Sequence, residues 1–110
     1  MILLNAFSIN MLPAGSNKVT FADVTLTEAK ALVANGFTSA VGHADTAAVF
    51  ADVLGVDVPC NRTSISIPER GICVSAWTAL VGQYSGPRLE EGTKTLPGGA
   101  TIRWVAVYVE

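Results

Sequence analysis

The sequence predicts an α+β fold: a single domain over residues 1–110, with a mixed sheet of about five strands and helices packed against it. Three observations carry this expectation. The chain has 110 residues, the size of one domain around one hydrophobic core. Half of those residues are hydrophobic and only 15% are charged, which excludes a disordered chain. The apolar pattern then alternates between period two and helical spacing, in the order strand, strand, helix, strand, helix, hairpin, strand, with no internal repeat or low-complexity tract to divide it.

Residues 2–6 read as a short buried strand, and the polar and apolar mixture over 7–12 as the turn that follows it. Residues 19–24 alternate as a second strand. Thr25-Leu26-Thr27-Glu28 has capping-box spacing, in which the Thr25 hydroxyl accepts from the amide three residues on while Glu28 reaches back. Leu26, Ala29, Leu32 and Val33 fall on one face, so a helix is expected over 26–35, ended by Gly36. Residues 37–41 return as a strand. Gly42-His43-Ala44-Asp45 then leads into a second helix over 46–54, with Val49, Phe50, Val53 and Leu54 as its apolar stripe and Gly55 as its stop.

Period two resumes at Arg62, where Thr63, Ile65 and Ile67 alternate with Ser64 and Ser66. Pro68-Glu69-Arg70-Gly71 supplies turn residues, and 72–80 reads as the return strand of a hairpin with one wetter face. The Gly- and Pro-rich stretch 82–100 reads as a loop too short to separate domains. In 101–109, Ile102, Trp104, Ala106 and Tyr108 alternate with Arg103, Val105, Val107 and Val109, so this strand is apolar on nearly both faces. It is expected to be central, or covered by a partner subunit.

Seven basic against nine acidic side chains give a net charge of -2, and the basic residues are scattered. Binders of long DNA or RNA normally carry a basic stripe, so no long nucleic acid is expected as partner. A small anionic ligand fits, because two or three convergent arginines and some backbone N–H groups hold a few phosphates whatever the net charge. The apolar surplus of so short a chain points in part to a subunit interface. The apolar run over 1–12 has no Lys or Arg before it and is interrupted by Asn5, Ser8 and Asn10, so neither secretion nor a membrane span is expected, and the location is read as cytoplasmic. Cys60 and Cys73 stand alone, with no CxxC pair and no His at ligand spacing, which indicates neither a metal site nor a disulfide framework.

The chain has one histidine. His43 stands between a predicted strand end and a helix start, where backbone N–H groups face anions and an imidazole lies within reach of a bound phosphate. The plainer reading of a lone histidine is structural or merely exposed. Arg88 sits in Gly86-Pro87-Arg88-Leu89-Glu90-Glu91-Gly92, which is either a solvated loop or a clamp in which Arg88 grips a phosphate bidentately while Glu91 orients it or a ribose hydroxyl. Asn5, Ser8 and Asn10 cap turns or edge a nucleotide pocket. Arg62 is a surface charge or a second phosphate contact. No Ser-His-Asp order, P-loop, dinucleotide fingerprint or metal-ligating cluster appears. Within reach of one His, one or two Arg and small polar groups is cleavage of an RNA phosphodiester by its own 2′-hydroxyl, which requires no metal, no cofactor and no protein nucleophile.

Asn5-Ala6-Phe7-Ser8-Ile9-Asn10-Met11-Leu12, Gly42-His43 with the helix after it, Asn61-Arg62 and Arg88-Leu89-Glu90-Glu91-Gly92 resemble, in order over nearly the whole chain, the viral ring nucleases, a family that also spreads through phages and bacterial mobile elements. The resemblance implies an anti-CRISPR enzyme that destroys cyclic tetra-adenylate, the second messenger of type III CRISPR defence, in a site formed by both subunits of a homodimer. It implies that His43 is the general acid, that Arg88 holds or stabilises the scissile phosphate with support from Glu91, and that Ser8 contacts the cleaved linkage. Asn5, Asn10, Arg62 and Gly42 would surround the ligand, and the products would be linear di-adenylates ending in a cyclic phosphate or phosphate. The approach to Arg88, Gln83-Tyr84-Ser85-Gly86-Pro87, departs from archaeal viral members, which run from strand to arginine with little interruption.

Symmetry offers a separate rationale, since a two-fold homodimer centred on a near four-fold ring sets one His43 against each of two opposite phosphates. Two other classes stay open: a protein that sequesters a cyclic nucleotide without cutting it, and a small viral structural or DNA-associated protein.

Overall fold

Five extended segments pair into one mixed sheet because a strand leaves its backbone N–H and C=O groups unpaired until it has neighbours. The computed structural model describes residues 1–15, 18–67 and 77–109. Its strands are β1 (Ile2–Leu4), β2 (Val19–Val24), β3 (Thr38–Ser39), β4 (Trp77–Ser85) and β5 (Thr101–Val109), in the spatial order β2-β5-β4-β1-β3. β1 runs parallel to both β3 and β4, and β5 runs antiparallel between β4 and β2. With helices α1 (Leu26–Ala34) and α2 (Ala44–Leu54), this is the expected α+β domain with a five-stranded mixed sheet. β5 takes the interior position that its two apolar faces require.

Both halves of the capping box start α1: the Glu28 amide donates to Thr25 Oγ1 at 3.2 Å, and the Thr25 amide donates to Glu28 Oε1 at 3.1 Å. Ala29 and Val33 are its buried residues. α2 begins two residues earlier than its apolar stripe suggests. The Ala47 amide already bonds the His43 carbonyl at 2.9 Å, which makes His43 the N-cap residue rather than part of a preceding loop. Gly55 ends α2 at φ +72 and returns its amide to the Ala51 carbonyl.

One core fills the space between helices and sheet, where Leu3, Leu80 and Trp104 meet Ala29, Val33, Ala47, Phe50 and Leu54. Phe50 and Trp104 pack with ring centroids 5.0 Å apart, directly over Gly82. A Cβ at Gly82 would lie 2.5 Å from Trp104 Cζ3 and 2.6 Å from Phe50 Cζ. This glycine therefore marks no loop. It is the strand position at which two aromatic rings need the room, and β4 runs on to Ser85, so the loop expected over 82–100 starts only at Gly86.

The opposite face carries a second cluster of Leu4, Ala79, Val81, Val107 and Val109, covered by Ile67 and, in part, by Phe7, Met11, Leu12 and Ile65, from segments outside the two α-helices. The hairpin expected over 63–80 is not formed, since residues 61–67 make no strand. The reason is that β4 already has β1 on one edge and β5 on the other at Ala79, Leu80 and Val81. The alternating isoleucines instead lay their side chains on the second cluster, and the Ile67 amide bonds the Met11 carbonyl at 2.7 Å. The turn expected over 68–71 and the first part of its return strand, 72–76, lie outside the described residues, as does Cys73.

Candidate functional site

The carboxyl ends of parallel strands are where such sheets present loops to ligands. β3, β1 and β4 are parallel neighbours, so their carboxyl ends lead at one edge of the sheet to Gly42-His43, to Asn5 and to Arg88 respectively. Leu4, the last residue of β1, pairs with Val81, yet β4 and β5 stay paired out to Ser85 and Thr101. The β4–β5 hairpin thus overhangs the end of β1 by about 13 Å, at about 3.3 Å per residue. Its connecting loop, 86–100, carries Arg88 and Glu91.

At the start of α2, His43 is exposed and makes no side-chain cap hydrogen bond. The segment 59–62 is tied alongside β3: the Ser39 hydroxyl donates to the Pro59 carbonyl at 2.6 Å, Asn61 Nδ2 donates to the Ser39 carbonyl at 2.8 Å, and the Asn61 amide donates to the Val41 carbonyl at 2.8 Å. These bonds set Arg62 against Gly42, where a Cβ would come within 3.4 Å of Arg62 Cγ. Asn61-Arg62 thereby adjoins Gly42-His43 although the two are some twenty residues apart in the chain.

Local bonds shape the loop that carries Arg88. The Tyr84 hydroxyl donates to the Pro87 carbonyl, and the Thr93 amide and hydroxyl both donate to the Glu90 carbonyl, at 3.1 and 2.6 Å. Gly92 sits in that turn at φ +85, a conformation that favours glycine. Its amide donates to Asp45 Oδ1 at 3.0 Å, and Asp45 lies in the first turn of α2, two residues beyond His43. Two contacts therefore bring segments distant in sequence to the N-terminus of α2: Arg62 against Gly42, and Gly92, the residue after Glu91, on Asp45. Arg62, Arg88 and Glu91 are all exposed.

Asn5, at the carboxyl end of β1, opens onto the other face of the sheet. It lines a cavity of about 510 Å³ on the sheet face opposite the helices, together with Phe7, Phe21, Gln83, Arg103 and Val105. Phe7 and Phe21 meet edge to face with centroids 5.8 Å apart. Arg103 donates bidentately to Asp23, Nε to Oδ1 at 2.6 Å and Nη2 to Oδ2 at 3.0 Å. Those hydrogen bonds from the Arg103 guanidinium hold the Asp23 carboxyl below the usual carboxylate range. Ser8 caps the 3-10 turn Ile9–Met11, its hydroxyl accepting from the Asn10 amide at 3.2 Å, and Asn10 is exposed. The structure thus brings Arg62 against Gly42 beside His43, ties the loop of Arg88 and Glu91 to α2 through Gly92, sets Asn5 in a cavity on the other face of the sheet, and gives Ser8 and Asn10 a turn to hold.

Sequence reasoning missed Asp45, Phe21, Gln83 and Arg103. Strand alternation was the available signal for Phe21 and Arg103, which share a face with Val105 and Val107. For Asp45 there was none, because its partner lies 47 residues away. Among the described residues, no helix is long and apolar enough to cross a membrane.

Comparison with known proteins accords with this architecture. The STIV B116-like family matches residues 1–96. Uncharacterized protein 26 of Sulfolobus islandicus filamentous virus (isolate Iceland/Hveragerdi) is 31% identical over 93 residues, which cover 84% of this chain and 73% of that protein. The solved structure of B116 from Sulfolobus turreted icosahedral virus superimposes with a TM-score of 0.74 over 97% of each chain, at 26% identity. The chain belongs to the STIV B116-like family, and its relatives mark it as a viral protein.

Proposed function

We propose that the chain is a metal-independent ring nuclease that cleaves cyclic tetra-adenylate to linear di-adenylates and so blocks type III CRISPR signalling. The observation that carries this reading is that the start of α2, where His43 stands, has Arg62 packed against Gly42 and the loop of Arg88 and Glu91 tied to it by the Gly92 to Asp45 hydrogen bond. A helix N-terminus draws phosphate through its unsatisfied amides, and the missing side-chain cap at His43 leaves those amides to a ligand. Two arginines beside it neutralise further phosphate charge. A ribose 2′-hydroxyl then attacks the adjacent phosphorus and releases its proton to solvent water, the bond to the departing 5′-oxygen breaks, and His43 donates a proton to that oxygen. Arg88 stabilises the charge on the phosphate, Glu91 supports its placement, and a 2′,3′-cyclic phosphate is left.

The proposal includes a homodimer whose two-fold axis passes through the ring, so that each subunit cuts one of two opposite linkages. It is supported by the exposed apolar groups of the chain, among them Ile9 and Phe21 at 79% and 59% exposure. A second reading, binding of a cyclic nucleotide without cleavage, is favoured by the aromatic and amide lining of the Asn5 cavity on the face away from α2. Incubation with labelled cyclic tetra-adenylate in excess EDTA, followed by resolution of the products, separates the two. Linear di-adenylates support the nuclease, a ring bound but intact supports sequestration, and a ring neither bound nor cut overturns both.

A further inference from the structure

We propose that Asp45 is a positioning residue: by accepting the Gly92 amide, its carboxylate holds the turn that carries Arg88 and Glu91 against the helix start that carries His43. This deepens the nuclease reading and rests on it. The bond bridges 47 residues of chain, whereas the other hydrogen bonds of the loop among the described residues, from Tyr84 to Pro87, from Thr93 to Glu90 and from Ala100 to Pro97, stay within the hairpin. Those local bonds make the turn a unit without saying where the unit sits. The bond to Asp45 supplies its place. Both ends are specialised for it: Gly92 holds φ +85, which a residue with a side chain adopts only under strain, and Asp45 occupies the first turn of a helix whose N-cap residue makes no capping bond. An aspartate in the first turn of a helix ordinarily only complements the positive end of its dipole; here it also accepts from the loop. A displacement of about 1 Å at a phosphate-binding group costs about 100-fold in rate, so one exposed hydrogen bond governs more catalysis than stability.

The test compares wild type, Asp45→Ala, Asp45→Asn, Arg88→Ala and the Asp45→Ala/Arg88→Ala double variant in cleavage of cyclic tetra-adenylate, with amide exchange of the unliganded proteins followed residue by residue. Asp45→Ala is expected to lower kcat/KM about 10- to 100-fold. Asp45→Asn, which keeps the accepting oxygen, restores most of it. The double variant should be no worse than Arg88→Ala alone, because the two act through one group. Exchange at the Gly92 amide should quicken about fivefold in Asp45→Ala, the worth of one net hydrogen bond. Independent, multiplying effects of Asp45→Ala and Arg88→Ala overturn the proposal, as does an Asp45→Ala protein within about twofold of wild type. If wild type cuts no ring, the nuclease reading falls on its own. The exchange data then decide the placement: unchanged protection at Gly92 overturns it, and lost protection upholds the tether.

Discussion

Replacing Gly82 by alanine tests why β4 continues past its apolar core. The added methyl would sit 2.5 Å from Trp104 Cζ3 and 2.6 and 2.9 Å from two atoms of the Phe50 ring. Reaching the ordinary contact of 3.4 Å requires the Trp104 ring to retreat by about 0.9 Å, and the surroundings leave it nowhere to go: Phe50 is wholly buried and Trp104 nearly so. Overpacking of this kind costs about 1–3 kcal/mol. The smaller conformational freedom of alanine in the unfolded chain returns about 0.4–1 kcal/mol, so the net loss is about 1–2 kcal/mol. At about 4 °C per kcal/mol for a domain near this size, the thermal midpoint falls by about 4–8 °C. Circular dichroism melts of both proteins at equal concentration measure it. An unchanged or raised midpoint would mean that the aromatic pair has slack, and that Gly82 is not what seats α2, and with it His43, on the sheet.

Arg88→Ala should weaken binding of cyclic tetra-adenylate and slow its cleavage together, since a phosphate clamp acts in ground and transition state alike; an unaltered Kd refutes the clamp. Thr25→Ala removes one half of the α1 capping box and should cost about 1 kcal/mol in urea unfolding, with no change in the slope with denaturant. Asp23 has its carboxyl pKa lowered in the fold by Arg103, so the stability it adds is present above the unfolded carboxylate value and lost as pH falls through the folded one. Both side chains are 64% exposed, which keeps the effect small and sensitive to salt. The gap in unfolding midpoint between wild type and Asp23→Asn should therefore be positive at neutral pH, close below about pH 4 and narrow in high salt. A gap that persists in acid contradicts the pairing.

How much was legible in the sequence follows from how local each signal was. β2, α1 and β5 were readable to within a residue because alternation, a capping box and a two-sided apolar run are properties of neighbours. The start of α2 was misread because Ala44 and Asp45 lie before the apolar stripe, while the first helical bond needs only the His43 carbonyl. The hairpin over 63–80 failed for a different reason. Period two showed that Ile65 and Ile67 face one way but not that β1 and β5 had already taken both edges of β4. Of the site, the motifs themselves were readable, whereas their meeting point depended on Asp45 and Gly92, whose partnership no local pattern announces.

The central claim is that an imidazole at the start of α2 donates a proton to an RNA leaving group. Single-turnover incubation of cyclic tetra-adenylate with excess wild type, alongside His43→Ala, tests it most directly. Wild type should convert the ring to two equal linear halves, while His43→Ala binds the ring and cuts it about 10²–10⁴-fold more slowly. Equal rates from the two proteins, or rings left whole by both, would contradict the account.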